Sequence, residues 1–247
     1  MHEENSMVPL YHQIREKLTA RIENGEFKPQ EQIPSENELC ERYNVSRITI
    51  RRAIDEMVKL GLLVKKQGKG TFVNQPKINF FSVDLISFSE RMKREGLNVT
   101  TRVVCVQEAL AENKVNRALG LADGESVVKI KRIRYIENDP IAIETNYIQR
   151  DLLKGRMEVD ELKKYLEQGN SLYDLLNNRI GIKFTRAHQT FEPIMLQEEE
   201  QETLECGENP VGLLIYRMTY SGDIPVEFVK VVHRGDLCKF EMELKNG

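Results

Sequence analysis

Positively charged and hydroxyl side chains crowd into seven consecutive residues in the first quarter of the chain. They are Ser46, Arg47, Thr49, Arg51 and Arg52. An arginine can donate two parallel hydrogen bonds to a guanine base, and hydroxyl groups suit phosphate oxygens. The cluster could therefore read base edges in the DNA major groove. A basic helix is also an ordinary solvated surface, so the surrounding elements must decide between the two interpretations.

A second pair of arginines lies in an alternating run further along the chain. In SVVKIKRIRYI, Arg132 and Arg134 are two residues apart, so both point to the same face of a strand. Two guanidinium groups on one face can clamp a phosphate or a carboxylate. The alternative is a polar face that meets solvent.

Other polar residues could complete a small-molecule site around this pair. The candidates are Phe88 and Ser89 at the start of a predicted helix, Glu144 and Glu227 on predicted strands, and Ser171 and Tyr173 at the start of another helix. Free N–H groups at a helix start suit an anion, and carboxylates can accept hydrogen bonds from ligand hydroxyls. Each candidate has an ordinary structural alternative, either helix capping or an exposed carboxylate.

The elements that would position the first cluster are three short helices. The first carries an apolar stripe at Leu10, Ile14, Leu18 and Ile22. The second runs from about Ser35 to Tyr43, because Ser35 and Glu38 have capping-box spacing. The third begins after Ser46 and stops at Gly61. Two helices joined by so tight a turn predict a helix-turn-helix, with the arginines in the first turns of its second helix.

A glycine-rich hairpin follows the third helix. In LLVKKQGKGTFV, apolar alternating strands flank a narrow basic tip made of Gln67, Gly68, Lys69 and Gly70. Such a tip could lie along a minor groove. The ordered set of helices, turn and hairpin predicts a winged helix-turn-helix.

The remainder of the chain has a different texture. Helix-like stretches occur near residues 87–96, 112–121, 160–168, 171–181 and 197–206. Extended alternating runs lie between them, and Asn138-Asp139 and Gly222-Asp223 indicate hairpin turns. This pattern predicts an α+β domain built around an antiparallel sheet.

Composition limits the class of protein. The 247 residues carry a net charge of −3, yet residues 42–69 hold eight basic side chains and two acidic ones. The four cysteines and four histidines have no metal-ligand spacing, so we expect no metal, no cofactor and no disulfide framework. The chain has no apolar run of about 18 residues and no apolar leader, so we expect a cytoplasmic protein without membrane contact.

The stretch PSENELCERYNVSRITIRRAIDEMVKLGLLVKKQGKGTFV resembles the DNA-binding domain of the GntR family of bacterial transcription regulators. The resemblance covers residues 8–74. It implies base or phosphate contacts from Ser35, Ser46, Arg47, Thr49, Arg51, Gln67, Gly68 and Lys69, to which we add the adjoining Arg52 and Gly70. Some relatives carry Arg where this chain has Asn37, and others carry His where it has Gln67, so the operator sequence does not follow from the resemblance.

Residues 80–247 are similar to the UTRA ligand-binding domain of the HutC branch of that family, on stretches such as SFSERMKREG, SLYDLL and YSGDIPVEFVKVVHRGDLCKF. The resemblance implies a chorismate lyase-like fold. It also implies a phosphate held by Arg132, Arg134, Ser89 and Ser171 with the N–H groups of Phe88 and Ser89, and a sugar held by Glu144, Tyr173 and Glu227. His233 stands where relatives often carry Tyr. Other branch members bind histidine breakdown products, which keeps a different effector class open.

These observations predict an α+β protein with a winged helix-turn-helix at residues 1–74, a linker at 75–80 and a chorismate lyase-like UTRA domain at 81–247. We expect a homodimeric repressor that binds double-stranded operator DNA and a small-molecule effector, with a sugar phosphate as the leading class. A non-phosphorylated carboxylate is the alternative effector. An enzyme fused to a DNA-binding head lacks a nucleophile–base pair, and a regulator with a helical metal-binding domain is disfavoured by the scarce histidines.

Overall fold

Three helices and a two-stranded hairpin form the first of two structural units. The computed structural model describes residues 8–74, 77–79, 85–206 and 210–241, and it divides the chain at residues 78/79. The first unit contains α1 (Leu10–Glu23), α2 (Glu36–Tyr43), α3 (Arg47–Lys59), β1 (Leu63–Lys66) and β2 (Gly70–Val73). The predicted helix-turn-helix and hairpin are therefore both present.

Local capping signals set the ends of α2 and α3. The Ser35 hydroxyl accepts a hydrogen bond from the Glu38 N–H, and the Glu38 carboxylate accepts one from the Ser35 N–H, which completes the predicted capping box. Asn44 ends α2 in the left-handed conformation, with φ 51° and ψ 50°. Ser46 then caps α3 by accepting from the Thr49 N–H. Only Val45 separates these two caps, so α3 is held tightly against α2.

One apolar core joins the helices to the hairpin. It is made of Ile14, Leu18, Phe27, Ile33, Leu39, Ile50, Ala53, Ile54, Met57, Leu63 and Val73. The predicted stripe on α1 is buried at Ile14 and Leu18, but Leu10 is exposed because it is the first residue of the helix. Burial of one face of α3 leaves its arginines on the opposite, solvated face.

The second unit is a six-stranded sheet with helices on both faces. The strand β3 (Ile78–Asn79) spans the division between the units. The elements that follow it are α4 (Phe88–Arg94), β4 (Val99–Leu110), α5 (Asn113–Leu119), β5 (Ser126–Ile136), β6 (Asp139–Gln149), α6 (Arg150–Leu153), α7 (Val159–Glu167), α8 (Leu172–Asp174), β7 (Arg186–Met195), α9 (Glu198–Leu204), β8 (Val211–Ser221), β9 (Ile224–Arg234) and β10 (Cys238–Lys239), of which β10 lies outside the large sheet. A π-helical turn, Leu175–Arg179, continues α8. The predicted α+β class is confirmed.

The order of strands in the large sheet is β4-β5-β6-β9-β8-β7, and every neighbouring pair is antiparallel. Tight hairpins connect β5 to β6 and β8 to β9, at the two turns that the sequence predicts. The non-consecutive pairing of β6 with β9 brings two distant hairpins together at the centre of the sheet.

The two faces of the sheet are covered differently. On one face, apolar residues of β5 and β6 pack against α6, α7, α8 and the π-helical turn. On the opposite face, separate apolar clusters involve α5 and α9. The first face also carries polar residues beyond its apolar cluster, and the effector candidates lie among them. The predicted linker at 75–80 falls partly outside the described residues.

Candidate functional site

The solvated face of α3 presents two of the predicted DNA-binding arginines. The side chains of Arg47 and Arg51 are 62% and 56% exposed. Both bind one carboxylate on α2, because Glu36 accepts from Arg47 Nε at 2.9 Å and from Arg51 Nη2 at 3.2 Å. A hydrogen bond from Arg47, which has the larger effect, and those from Arg51 hold the pKa of Glu36 below its usual range. Exposed ion pairs are weak, so Glu36 orients the two arginines and still leaves them available for hydrogen bonds to DNA.

The other helix residues that are predicted to contact DNA form hydrogen bonds with neighbouring residues or stack on an aromatic ring. The Ser46 and Thr49 hydroxyls are 2.8 Å apart at the start of α3. Arg52 lies over the ring of Tyr11 on α1, with Cζ 3.8 Å from the ring centre, and it donates to the Tyr11 hydroxyl. Ser35 is exposed and hydrogen-bonds within its capping box.

The hairpin tip projects Gln67, Gly68 and Lys69 into solvent. A loop residue that sequence reasoning did not single out supports it: Gln32 donates to the Lys69 carbonyl at 3.0 Å. Gly70 has φ +117°, and a Cβ atom there would collide with the Gln32 amide. Ile48 was also missed, and it is 82% exposed in the first turn of α3. Ile48 lies off the apolar stripe of α3, and this position was the signal that its side chain is exposed. An exposed apolar side chain at the start of such a helix can contact a thymine methyl group.

A cavity of about 100 Å³ lies within the second unit, beside the polar part of the first sheet face. Its walls include eight of the nine predicted effector residues: Phe88, Ser89, Arg132, Arg134, Glu144, Ser171, Tyr173 and His233. The helix starts at Phe88 and Ser171 thus meet the sheet at one place. The ordinary capping roles also hold, because Ser87 caps α4 and Ser171 caps α8.

Arg132 and Arg134 are buried, so the interpretation of a solvent-facing polar face is wrong. Both bind Glu144 on the adjacent strand: Arg134 Nε donates to Oε2 at 2.8 Å, and Arg132 Nη2 donates to Oε1. Burial by itself would raise the pKa of Glu144, but the two guanidinium groups hold it well below its usual range. Burial, with the neighbouring Arg134, lowers the pKa of Arg132 to about 10, so it stays protonated at neutral pH.

A buried hydrogen-bonded chain continues from this ion pair across the sheet. Arg132 donates to Asn146, and Asn146 donates to Glu227 at 2.8 Å. Thr219 donates to the other oxygen of Glu227. Burial raises the pKa of Glu227. Glu227 is fully buried beneath the cavity and is not among the described residues of its wall, which differs from its expected role in holding a sugar directly.

Three wall residues with long polar side chains were not found by sequence reasoning: Arg91, Gln189 and Arg217. Arg217 is two residues from both Ile215 and Thr219 on β8, so strand alternation places these three side chains on the same face. Only the position of β8 in the sheet brings that face to the cavity.

Burial lowers the pKa of His233 to about 4, so this side chain is neutral at pH 7. Among the described residues, the charged side chains of the wall are therefore four arginines (Arg91, Arg132, Arg134 and Arg217) and one glutamate (Glu144).

Two negative findings concern the part of the chain that the structure describes. No three His, Cys, Asp or Glu side chains in it are grouped so as to hold a metal ion. None of its helices combines the length and the apolar character needed to cross a membrane.

Two protein-family models and several known proteins match this chain. The model of the gntR family of bacterial regulatory proteins matches residues 10–73, and the UTRA domain model matches residues 94–239. The HTH-type transcriptional repressor NagR of Bacillus subtilis is 35% identical over 95% of this chain and 94% of that protein. The histidine utilization repressor of Pseudomonas putida is 28% identical over 94% of this chain and 91% of that protein.

Solved structures agree with these sequence relatives. The crystal structure of PhnF from Mycobacterium smegmatis has a TM-score of 0.63 and 25% identity, and it covers 94% of this chain and all of that chain. The relatives named as repressors support the expectation of a regulator rather than an enzyme. The chain therefore belongs to the GntR family of bacterial regulatory proteins and carries a UTRA domain.

Proposed function

We propose that this chain is a cytoplasmic, homodimeric repressor whose operator affinity changes when a sugar phosphate binds its UTRA domain. In this proposal, residues 1–74 bind DNA, residues 75–80 connect the domains and residues 81–247 bind the effector. The observation that carries the effector class is the charge of the cavity, where four arginines and one glutamate line a volume of about 100 Å³. An anionic group would compensate the excess of positive charge.

On the DNA side, the proposal rests on the exposed arginines of α3 and on the hairpin tip. Arg47 and Arg51 donate to bases, while the hairpin tip with Lys69 follows the backbone or the minor groove. Two protomers would place their recognition helices in half-sites about 34 Å apart, which requires a pseudo-palindromic operator.

On the effector side, relatives support a carbohydrate derivative. Repressors named for fructoselysine utilization and for mannosyl-D-glycerate transport and metabolism, both of Escherichia coli, are 32% and 28% identical to this chain. The repressor named for histidine utilization favours the second candidate, a non-phosphorylated carboxylate. Either anion would meet the same arginines, so the effector class must be decided by experiment.

The test measures operator affinity with and without ligands. The full chain first selects its operator from random-sequence duplexes, and fluorescence anisotropy then follows binding during titration with hexose phosphates, the parent hexoses and hydroxycarboxylates. We expect a hexose phosphate to change operator affinity by roughly 5- to 150-fold, the usual range of allosteric coupling, and the parent hexose to leave it unchanged. A response to hydroxycarboxylates alone would replace the phosphate by the carboxylate alternative.

Two variants separate the two halves of the proposal. Arg132→Ala should abolish the response to ligand and keep operator binding, because the residue lies in the buried cavity. Arg47→Ala should weaken operator binding by about 1–3 kcal/mol and relax base preference, with ligand binding intact. Melting curves of both variants verify that they are folded. An Arg132→Ala protein that still responds fully to ligand would contradict the assignment of the cavity.

A further inference from the structure

Three buried hydrogen-bond donors at the effector cavity have no partner within the described residues. They are Nε of Arg132, Nε of Arg217 and the hydroxyl of Tyr173. Buried polar groups in folded proteins are almost always hydrogen-bonded, and an unsatisfied one costs about 1–3 kcal/mol. Three such groups around one cavity indicate that a ligand supplies the acceptors.

The two arginines approach the cavity from different parts of the sheet. Arg132 lies on β5 and Arg217 on β8, and the strands β6 and β9 separate them in the sheet order. Three inter-strand spacings of about 4.8 Å lie between them, a gap that two long arginine side chains can span from opposite sides. On the two strands between them, the cavity wall is formed by Ala142 and Glu144 of β6 and by Val231 and His233 of β9.

Arg217 is the less neutralised of the two arginines. Arg132 donates directly to Glu144, whereas no carboxylate within the described residues lies within ion-pair distance of Arg217. The Cζ atom of Arg217 is 5.3 Å from the ring centre of Tyr173, so this guanidinium and the tyrosine are neighbours at the wall.

We propose that Arg217 forms the second side of a phosphate clamp, with Arg132 opposite and the Tyr173 hydroxyl as a third donor. The proposal rests on the proposed function, in which the effector carries a phosphate group. Three donors that come from β5, β8 and α8 suit the tetrahedral oxygens of a phosphate better than the two coplanar oxygens of a carboxylate.

The test uses isothermal titration calorimetry on the full chain with inorganic phosphate, a panel of hexose 6-phosphates and the parent hexoses. Arg217→Ala should weaken binding of phosphate and of the hexose phosphates by about tenfold or more, the usual effect of losing a charged hydrogen bond. Arg217→Lys should recover part of that loss, because it retains the charge without the planar fork. Affinity for the parent hexose should stay within about twofold, which a merely structural role for Arg217 would not predict.

Arg186→Ala is the matched control, because Arg186 is an exposed arginine on the edge strand β7 and pairs only loosely with Asp223, at 3.8 Å. It should bind every ligand as the wild type does. If Arg217→Ala keeps wild-type affinity for phosphate while Arg132→Ala loses it, the clamp is overturned and the proposed function stands. If the wild type binds no phosphate and no hexose phosphate, both are overturned.

Discussion

His233 and Glu227 illustrate how burial changes the chemistry of single residues in the second unit. Burial lowers the pKa of the histidine to about 4 and raises the pKa of the glutamate, so each is pushed toward its neutral form. Glu144, equally buried, remains charged because Arg132 and Arg134 bind it. The charge of the cavity is therefore set by which carboxylate has arginine partners.

The pKa of His233 predicts a specific loss of stability in acid. Between the folded value of about 4 and the ordinary value of 6.5, the unfolded chain binds more protons than the folded chain, so stability falls as pH falls. From pH 7 to pH 5 this residue should cost about 2 kcal/mol. His233→Phe should remove that part of the pH dependence, as measured by calorimetric unfolding at both pH values.

The control for this prediction is His188→Phe, since His188 is exposed on β7. That variant should keep the acid sensitivity of the wild type. Equal acid sensitivity in His233→Phe and the wild type would show that the histidine is not the group that titrates.

At the scale of elements, the hairpin of the first unit depends on a loop that packs beside it. Gln32 reaches the Lys69 carbonyl, and the backbone N–H of Ile33 donates to the carbonyl of Thr71. The loop therefore supports β2 and the hairpin tip from one side. The geometry of the tip is fixed by this support as well as by its turn residues.

This arrangement predicts different effects for two glycines of the hairpin. Gly70→Ala should destabilise the first unit by roughly 2 kcal/mol, because the backbone has φ +117° and the new Cβ would collide with Gln32. Gly68→Ala should cost only about 1 kcal/mol, because its φ is +70° and the described residues leave open space there. Thermal unfolding followed by circular dichroism measures both, and a larger loss for Gly68→Ala would refute the role of Gln32.

Local signals were sufficient to predict the elements but not their neighbours. Capping at Ser35 and Ser46 predicted the helix-turn-helix, and alternation predicted that Arg132 and Arg134 share a face. The cavity required more, because β9 pairs with β6 across a long sequence separation, and this pairing also brings β8 into the sheet beside them. No local pattern specifies such pairings, which is why Arg217 was missed and the depth of Glu227 was not foreseen.

At the scale of the whole molecule, charge is divided unevenly along an acidic chain. The net charge is −3, yet residues 42–69 carry eight basic and two acidic side chains. Part of this excess is balanced locally, since Glu36 binds two arginines of α3 and Asp55 binds Lys65. The excess of basic side chains in residues 42–69 falls on the elements that we propose contact DNA, and salt should weaken binding through them.

The salt dependence of operator binding tests whether the protein binds its operator as a dimer or as a monomer. Each phosphate contact contributes about 0.9 to the slope of log affinity against log salt concentration. Lys69→Ala removes one proposed contact per protomer, so the slope should fall by about 1.8 for a dimer and about 0.9 for a monomer. Lys163→Ala, an exposed lysine on α7 of the second unit, should leave the slope unchanged and serves as the control.

The buried hydrogen-bonded chain beneath the effector cavity has a consequence for how this protein can evolve. It crosses five strands through Thr101, Arg134, Glu144, Arg132, Asn146, Glu227 and Thr219. Removing one partner of a buried ion pair leaves an uncompensated charge and costs about 3–5 kcal/mol, a large part of the stability of a domain. Descendants that recognise a new effector should therefore change linked positions in pairs, and the order in which those substitutions arise should be constrained.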